Sequence, residues 1–264
     1  MIKPVICFEM LYGNSTPVQK IKKIADAGFE YVEFWSWRDK DIDAIKTACD
    51  MNGVKVANFS GQRVGDLVNP ATHEALLDDY KDAVKSADIL GNQILMVLTN
   101  KLGHEGVVVN SYEEISQDAK DDAVVGGLKR LSRMIPSDGA VVLEPLNIVK
   151  DHVGYHLYDL AKAAELLSKV GDSRIKILCD LYHQGMMGDN LISLVKKHVQ
   201  NIGYFHIADV PGRGEPGSGS VDWEAVLKEI RNSGYDGFVG FEYAPVGDSD
   251  ESLAAIKALW GSVF

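Results

Sequence analysis

Eight short runs of β-branched and aromatic residues recur along the chain, separated by stretches long enough for a crossover helix. This alternation most constrains the fold. The runs predict strands over 5–10 (VICFEM), 31–36 (YVEFWS), 55–60 (KVANFS), 93–99 (QILMVLT), 140–146 (AVVLEPL), 175–182 (IKILCDLY), 201–209 (NIGYFHIAD) and 237–243 (GFVGFEY). Helical spacing of apolar residues predicts helices over 17–28, 42–53, 73–91 and 222–234, and several periodic stretches stop at glycine: Gly28, Gly53, Gly91, Gly171 and Gly234. Strands that are apolar almost throughout and joined by helices form a parallel sheet covered on its faces. The 264 residues match the roughly 250 that eight such units need when closed into a (β/α)8 barrel. A doubly wound open sheet is the alternative. No linker or composition break divides the chain, so one barrel domain is expected over 1–264.

Two expected connections are long for βα loops, NKLGHEGVVVNSYEEIS (100–116) and the glycine-rich PGRGEPGSGS (211–220). Both fall at the C-terminal face of the predicted barrel, where barrel enzymes build their active sites. Four chemically able side chains sit at the ends of successive predicted strands: Glu144, Asp180, His206 and Glu242. A barrel brings such positions to one mouth. A single acid at a strand end is more often a helix cap or an ion-pair partner. Three acids and an imidazole together would be costly to bury without a cation. That donor set suits Mn²⁺, Mg²⁺ or Co²⁺ and also admits Zn²⁺.

The same segments carry a family resemblance. VEFW (32–35), LEPLN (143–147), DLYH (180–183), FHIADVPGRGEP (205–216) and GYDGFVGFEY (234–243), with Glu, Asp, His, Glu in that order, resemble the hydroxypyruvate isomerase-like branch of the xylose isomerase-like barrels. The likeness spans nearly the whole chain. It implies that Glu144, Asp180, His206 and Glu242 hold a divalent metal and that Glu144 and Glu242 also exchange protons with substrate. It implies too that His183 touches a substrate oxygen and that Arg213 and Glu215 belong to a loop closing over the ligand. The segment IVKDHVGYH after Asn147 departs from the pattern, lacking the proline that relatives carry before Gly-Tyr.

These residues imply an isomerase that moves a proton between adjacent carbons of a small keto-acid or keto-sugar through an enediolate. A hydroxypyruvate-like substrate asks for a cation at its carboxylate, for which Arg213 is the candidate. A neutral ketose asks for hydroxyl-binding groups, for which Asn58, Gln62 and His183 stand ready, and Trp35 is placed to wall the pocket. A ketose 3-epimerase and a non-catalytic sugar-binding barrel are the competing readings. Glu33 reads either as a partner to a ligand or as a buried acid. His152 and His156, near Asp151, suggest a second metal site by type, but their place in a loop or helix start reads more as solvated.

The net charge of −11 disfavours nucleic acid and anionic membrane surfaces as partners. Gly212, Gly214 and Gly217 meet the spacing of a dinucleotide loop, but Pro216 interrupts it and no helix opens directly from it. Three cysteines without a CxxC pair and an N-terminus without a long apolar run predict a cytoplasmic protein. A homo-oligomer is compatible with all of this.

Overall fold

The computed structural model describes residues 1–264, and its eight strands hydrogen-bond in sequence order around a closed ring. The strands are β1 (Lys3–Cys7), β2 (Tyr31–Ser36), β3 (Lys55–Ser60), β4 (Ile94–Val97), β5 (Ala140–Leu143), β6 (Ile175–Asp180), β7 (Ile202–Ile207) and β8 (Phe238–Phe241). Every neighbouring pair is parallel, including β1 with β8, where Val5 lies opposite Gly240. The chain is therefore a (β/α)8 barrel, and the open-sheet alternative is excluded by that closing pair.

Between the strands run α1 (Pro17–Asp26), α2 (Ile42–Asn52), α3 (His73–Leu90), α4 (Gln117–Leu131), α5 (Leu160–Val170), α6 (Leu181–Met186), α7 (Leu191–His198) and α8 (Trp223–Asn232), with α9 (Ser249–Val263) after the last strand. Short polar side chains start them. Asp41, Ser116, Asp159, Asn190 and Asp222 each accept a hydrogen bond from a backbone N–H in the first turn of the helix that follows. At the other end, Gly53, Gly91 and Gly171 close α2, α3 and α5 in the left-handed conformation.

The core has two parts. A large apolar layer lies between the ring and its helices, and a small separate cluster of Val5, Ala57, Val142, Leu178 and Tyr204 fills the ring's interior. Side chains two apart on a strand share a face. The period therefore places Glu144 above Val142, Asp180 above Leu178 and His206 above Tyr204, so the interior cluster forms the floor of the site. No helix is long and apolar enough to cross a membrane.

Candidate active site

Glu144 and Glu242 stand one residue beyond β5 and β8, yet their main chains are still held as strand. Glu144 N donates to Val97 O at 3.2 Å and Glu242 N to Ile207 O at 3.1 Å. Asp180 ends β6 and His206 is the penultimate residue of β7. All four side chains are buried, and one donor atom from each lies within 4.8 Å of the others. His206 Nδ1 is 3.3 Å from Glu242 Oε2 and 3.8 Å from Glu144 Oε1.

The donors look prepared for a cation. Asp180 Oδ1 caps α6 by accepting from Tyr182 N at 2.8 Å, whereas Oδ2, 3.5 Å from His183 Nε2, is buried and accepts no hydrogen bond. His206 Nδ1 is likewise buried without a hydrogen-bond partner. Three carboxylates and one imidazole with orphaned atoms facing one point fit a divalent metal.

Glu33 reaches across the ring to this group. Its Oε1 lies 3.1 Å from His206 Nε2 and its Oε2 accepts from Tyr204 Oη at 2.6 Å. The facing Glu33 Oε1 and His206 Nε2 stand at ion-pair distance without hydrogen-bond geometry, and the Tyr204 bond fixes the carboxylate behind the imidazole. It leaves no room for a side chain at Gly240, where a Cβ would stand 2.3 Å from Glu33 Oε1 and 2.8 Å from His206 Cδ2. Burial works against an imidazolium at His206, but Glu33, Glu144 and Glu242 outweigh it and hold the pKa well above the usual histidine value.

The remaining charges divide unevenly. Burial raises the Glu144 carboxyl, and it lifts Asp180 to about 7 against the opposing pull of Arg213 and His206. Burial also opposes charge on Glu242, but the Arg213 guanidinium and His206 reverse that and hold it well below the usual carboxylate range. Arg213 donates to Glu242 Oε2 at 2.9 Å, lies 3.9 Å from Asp180 Oδ2 and stacks on the Tyr182 ring at 5.2 Å. The Trp35 indole N–H donates to the other Glu242 oxygen.

The tautomer of His183 follows from its neighbours. Asn147 Oδ1 accepts from Lys150 N and Asp151 N at 3.2 and 3.1 Å, which turns its amide nitrogen toward Asp151 Oδ2 at 2.8 Å and His183 Nδ1 at 2.7 Å. His183 Nδ1 therefore accepts and Nε2 carries the proton. Burial and the nearby Arg213 push its pKa well below the usual value, so the ring is neutral. It is a fixed N–H donor at the cavity wall.

A cavity of about 330 Å³ opens over the donors and is lined by Trp35, His183, Arg213, Glu144 and Glu242, among others. The segment after β4 covers part of it as a small hairpin bridged at Leu102 and Val108. Asn58, Gln62 and Glu215 lie elsewhere. Asn58 is buried within β3, beside Glu33 in the register with β2. Gln62 braces loops by donating to Gly65 O and accepting from Leu98 N. Glu215 accepts from Val246 N at 2.9 Å, tying two rim segments together.

The expectation of solvated histidines is corrected. His152 lines the cavity and donates from Nδ1 to Gly106 O at 2.7 Å, and His156 pairs with Asp121 at 2.9 Å in a buried contact. The glycine-rich loop folds around Asp209, which accepts from Val210 N, Gly217 N and Val221 N at 2.8, 2.7 and 3.2 Å. Gly219 lies against that carboxylate so closely that a Cβ would stand 2.5 Å from it. Arg63, which lines the cavity just after β3, was not singled out by the sequence reading. Its position immediately after a strand end was the available signal.

The xylose isomerase-like TIM barrel family model matches residues 21–259, and the chain belongs to that family. Within it, the chain falls in the hydroxypyruvate isomerase-like branch and is an isomerase. It is 29% identical over 252 residues to the hydroxypyruvate isomerase of Escherichia coli (strain K12), covering 92% of this chain and 94% of that one. A putative hydroxypyruvate isomerase of Streptomyces coelicolor is 31% identical, with 94% of this chain and 93% of that one covered. The 2-oxo-tetronate isomerase of Cupriavidus necator is 24% identical, with 96% of each covered. Two solved structures share the fold. One is an AP endonuclease, family 2, from Brucella melitensis (TM-score 0.89, 22% identity, 98% and 99% coverage), and the other a D-psicose 3-epimerase from Clostridium cellulolyticum H10 (TM-score 0.83, 16% identity, 99% coverage of both).

Proposed function

We propose that the chain interconverts a small keto-acid and its aldehyde isomer, with hydroxypyruvate and tartronate semialdehyde as the leading pair. The observation that carries this reading is the convergence of Glu144 and Glu242 on one buried four-donor cluster beneath a cavity that both residues line. The names borne by the relatives supply the substrate class.

In this reading Glu144, Asp180, His206 and Glu242 hold a divalent metal, Mn²⁺, Mg²⁺, Co²⁺ or Zn²⁺. A cation there would supply positive charge against the negative charge that develops on two neighbouring substrate oxygens. The chain's own groups do the proton work. Glu242, kept ionised by Arg213, takes the proton from the carbon beside the ketone. The electron pair passes into an enediolate, and the C3 hydroxyl proton passes to the C2 oxygen, so that the C3 oxygen becomes the aldehyde carbonyl. Glu144, the other glutamate lining the cavity, returns a proton to the adjacent carbon. His183 donates a hydrogen bond from its Nε2–H to a substrate oxygen, and Trp35 walls the cavity and fixes the far oxygen of Glu242. The roles of the two glutamates exchange in the reverse direction.

The test is ¹H NMR of hydroxypyruvate incubated in D₂O with the protein and each metal in turn. The reading expects metal-dependent loss of the C3 hydrogen signal and appearance of the aldehyde or its hydrate. Glu242→Gln is expected to lose exchange and turnover together, whereas Glu144→Gln loses turnover. Exchange at C3 or C4 of a ketose, with none in any keto-acid, would replace this reading by the epimerase. No exchange in any three- to six-carbon ketose or keto-acid would leave only a binding role.

A further inference from the structure

The cavity holds two arginines in different electrical surroundings. The charge of Arg213 is already answered, because its guanidinium lies against Glu242 and near Asp180. Arg63 forms no ion pair. Its guanidinium donates to the Trp35 carbonyl oxygen, and its Nε is buried with no hydrogen-bond partner. The main chain beneath it is nevertheless held firmly: Asp79 Oδ2 accepts from Arg63 N and Val64 N at 2.6 and 2.9 Å. Asp79 is in turn held by Arg38. The cavity around Arg63 has apolar wall at Met96, Leu98 and Leu102. A cationic fork lining the same cavity as that wall, with no ion-pair partner and a donor left over, is prepared for an anion that arrives with the ligand.

We infer that Arg63, and not Arg213, receives the carboxylate of the substrate. This rests on the keto-acid reading above. The carboxylate is the one end of a hydroxypyruvate-like molecule that the reaction leaves unchanged. A cation on the loop after β3, whose main chain Asp79 pins, can therefore hold reactant and product alike while the two neighbouring carbons exchange a proton. Arg213 then serves Glu242, keeping it ionised.

The experiment compares wild type, Arg63→Gln, Arg63→Lys and Arg213→Gln on two substrates, with the metal-loaded protein. Hydroxypyruvate carries the carboxylate. Dihydroxyacetone has a hydroxymethyl group in its place. Arg63→Gln is expected to lower kcat/KM for hydroxypyruvate by about 10- to 100-fold, mostly through KM, as for the loss of one charged hydrogen-bonded contact. Dihydroxyacetone should stay within about threefold. Arg63→Lys should restore part of the loss, because it returns the charge without the fork. Equal losses on both substrates would reduce Arg63 to a wall residue and overturn the inference.

Calorimetric titration with glycerate, an unreactive carboxylate, and with glycerol separates this inference from the functional reading. Loss of glycerate binding in Arg63→Gln supports the inference even if wild type turns over no keto-acid. Retention of it there, or its loss in Arg213→Gln alone, overturns the inference even if wild type isomerises hydroxypyruvate well.

Discussion

At the scale of single residues, the site depends on side chains that hold other side chains. Glu33 stands at ion-pair distance behind His206, and its replacement by Gln should weaken metal binding about 10- to 100-fold. Competition against a fluorescent chelator measures this directly, and unchanged affinity would remove Glu33 from that role. Asp209 has three backbone donors on one buried carboxylate. Asp209→Ala should cost about 1–3 kcal/mol, read as a lowered urea midpoint, with loosening of the loop that carries Arg213. Gly240→Ala should displace Glu33 or His206 and weaken metal binding without changing the strand order. Of these residues, the four donors were legible because each is a polar group interrupting an apolar run at a strand end. Asn147 and Arg63 were not legible in the same way. The importance of Asn147 lies in how its amide is turned by Lys150 N and Asp151 N, and that of Arg63 in having carboxylates nearby but none in direct ion-pair contact, and neither property is written in a residue's identity.

At the scale of elements, local chemistry was legible to within a few residues. β2 and β3 coincide with the predicted 31–36 and 55–60. The expected strand over 93–99 shortens to Ile94–Val97, because Leu98 and Thr99 keep an apolar or β-branched character after the ladder has ended. The segment after Asn147 reads as a loop in the sequence, but the connection begins earlier, at Glu144 where β5 has ended, and runs to Asp159, wrapping against the hairpin after β4 through His152 and Gly106. Helix starts were better marked. Asp159 accepts from Lys162 N at 2.6 Å, and Asp159→Ala should destabilise by about 1 kcal/mol. Urea denaturation followed by circular dichroism checks this, with no change in activity expected because α5 presents nothing to the cavity.

At the scale of the whole molecule, acid should act on the fold through buried imidazoles. Burial lowers the pKa of His152, His156 and His198 below the usual histidine value. In the unfolded chain these rings bind protons near pH 6.5, so between that value and their lower folded values the unfolded state holds more protons. Their contribution to stability is therefore complete above about pH 6.5 and is lost as the pH falls through the folded values. Urea midpoints measured from pH 7.5 to 5 should fall, and His156→Gln should flatten part of that slope. The closed ring also divides its labour. The strands from β5 onward carry the four donors, His183 and Arg213, whereas Trp35, Arg63, Met96 and Leu98 come from the half formed by β1 to β4. One semicircle thus carries the donor cluster and the other a second stretch of the cavity wall, with Glu33 beside His206 and Trp35 on Glu242 as side-chain links between them. Exchange of residues in the β1–β4 semicircle, short of those two links, is expected to retune ligand choice while the donor cluster stays in place.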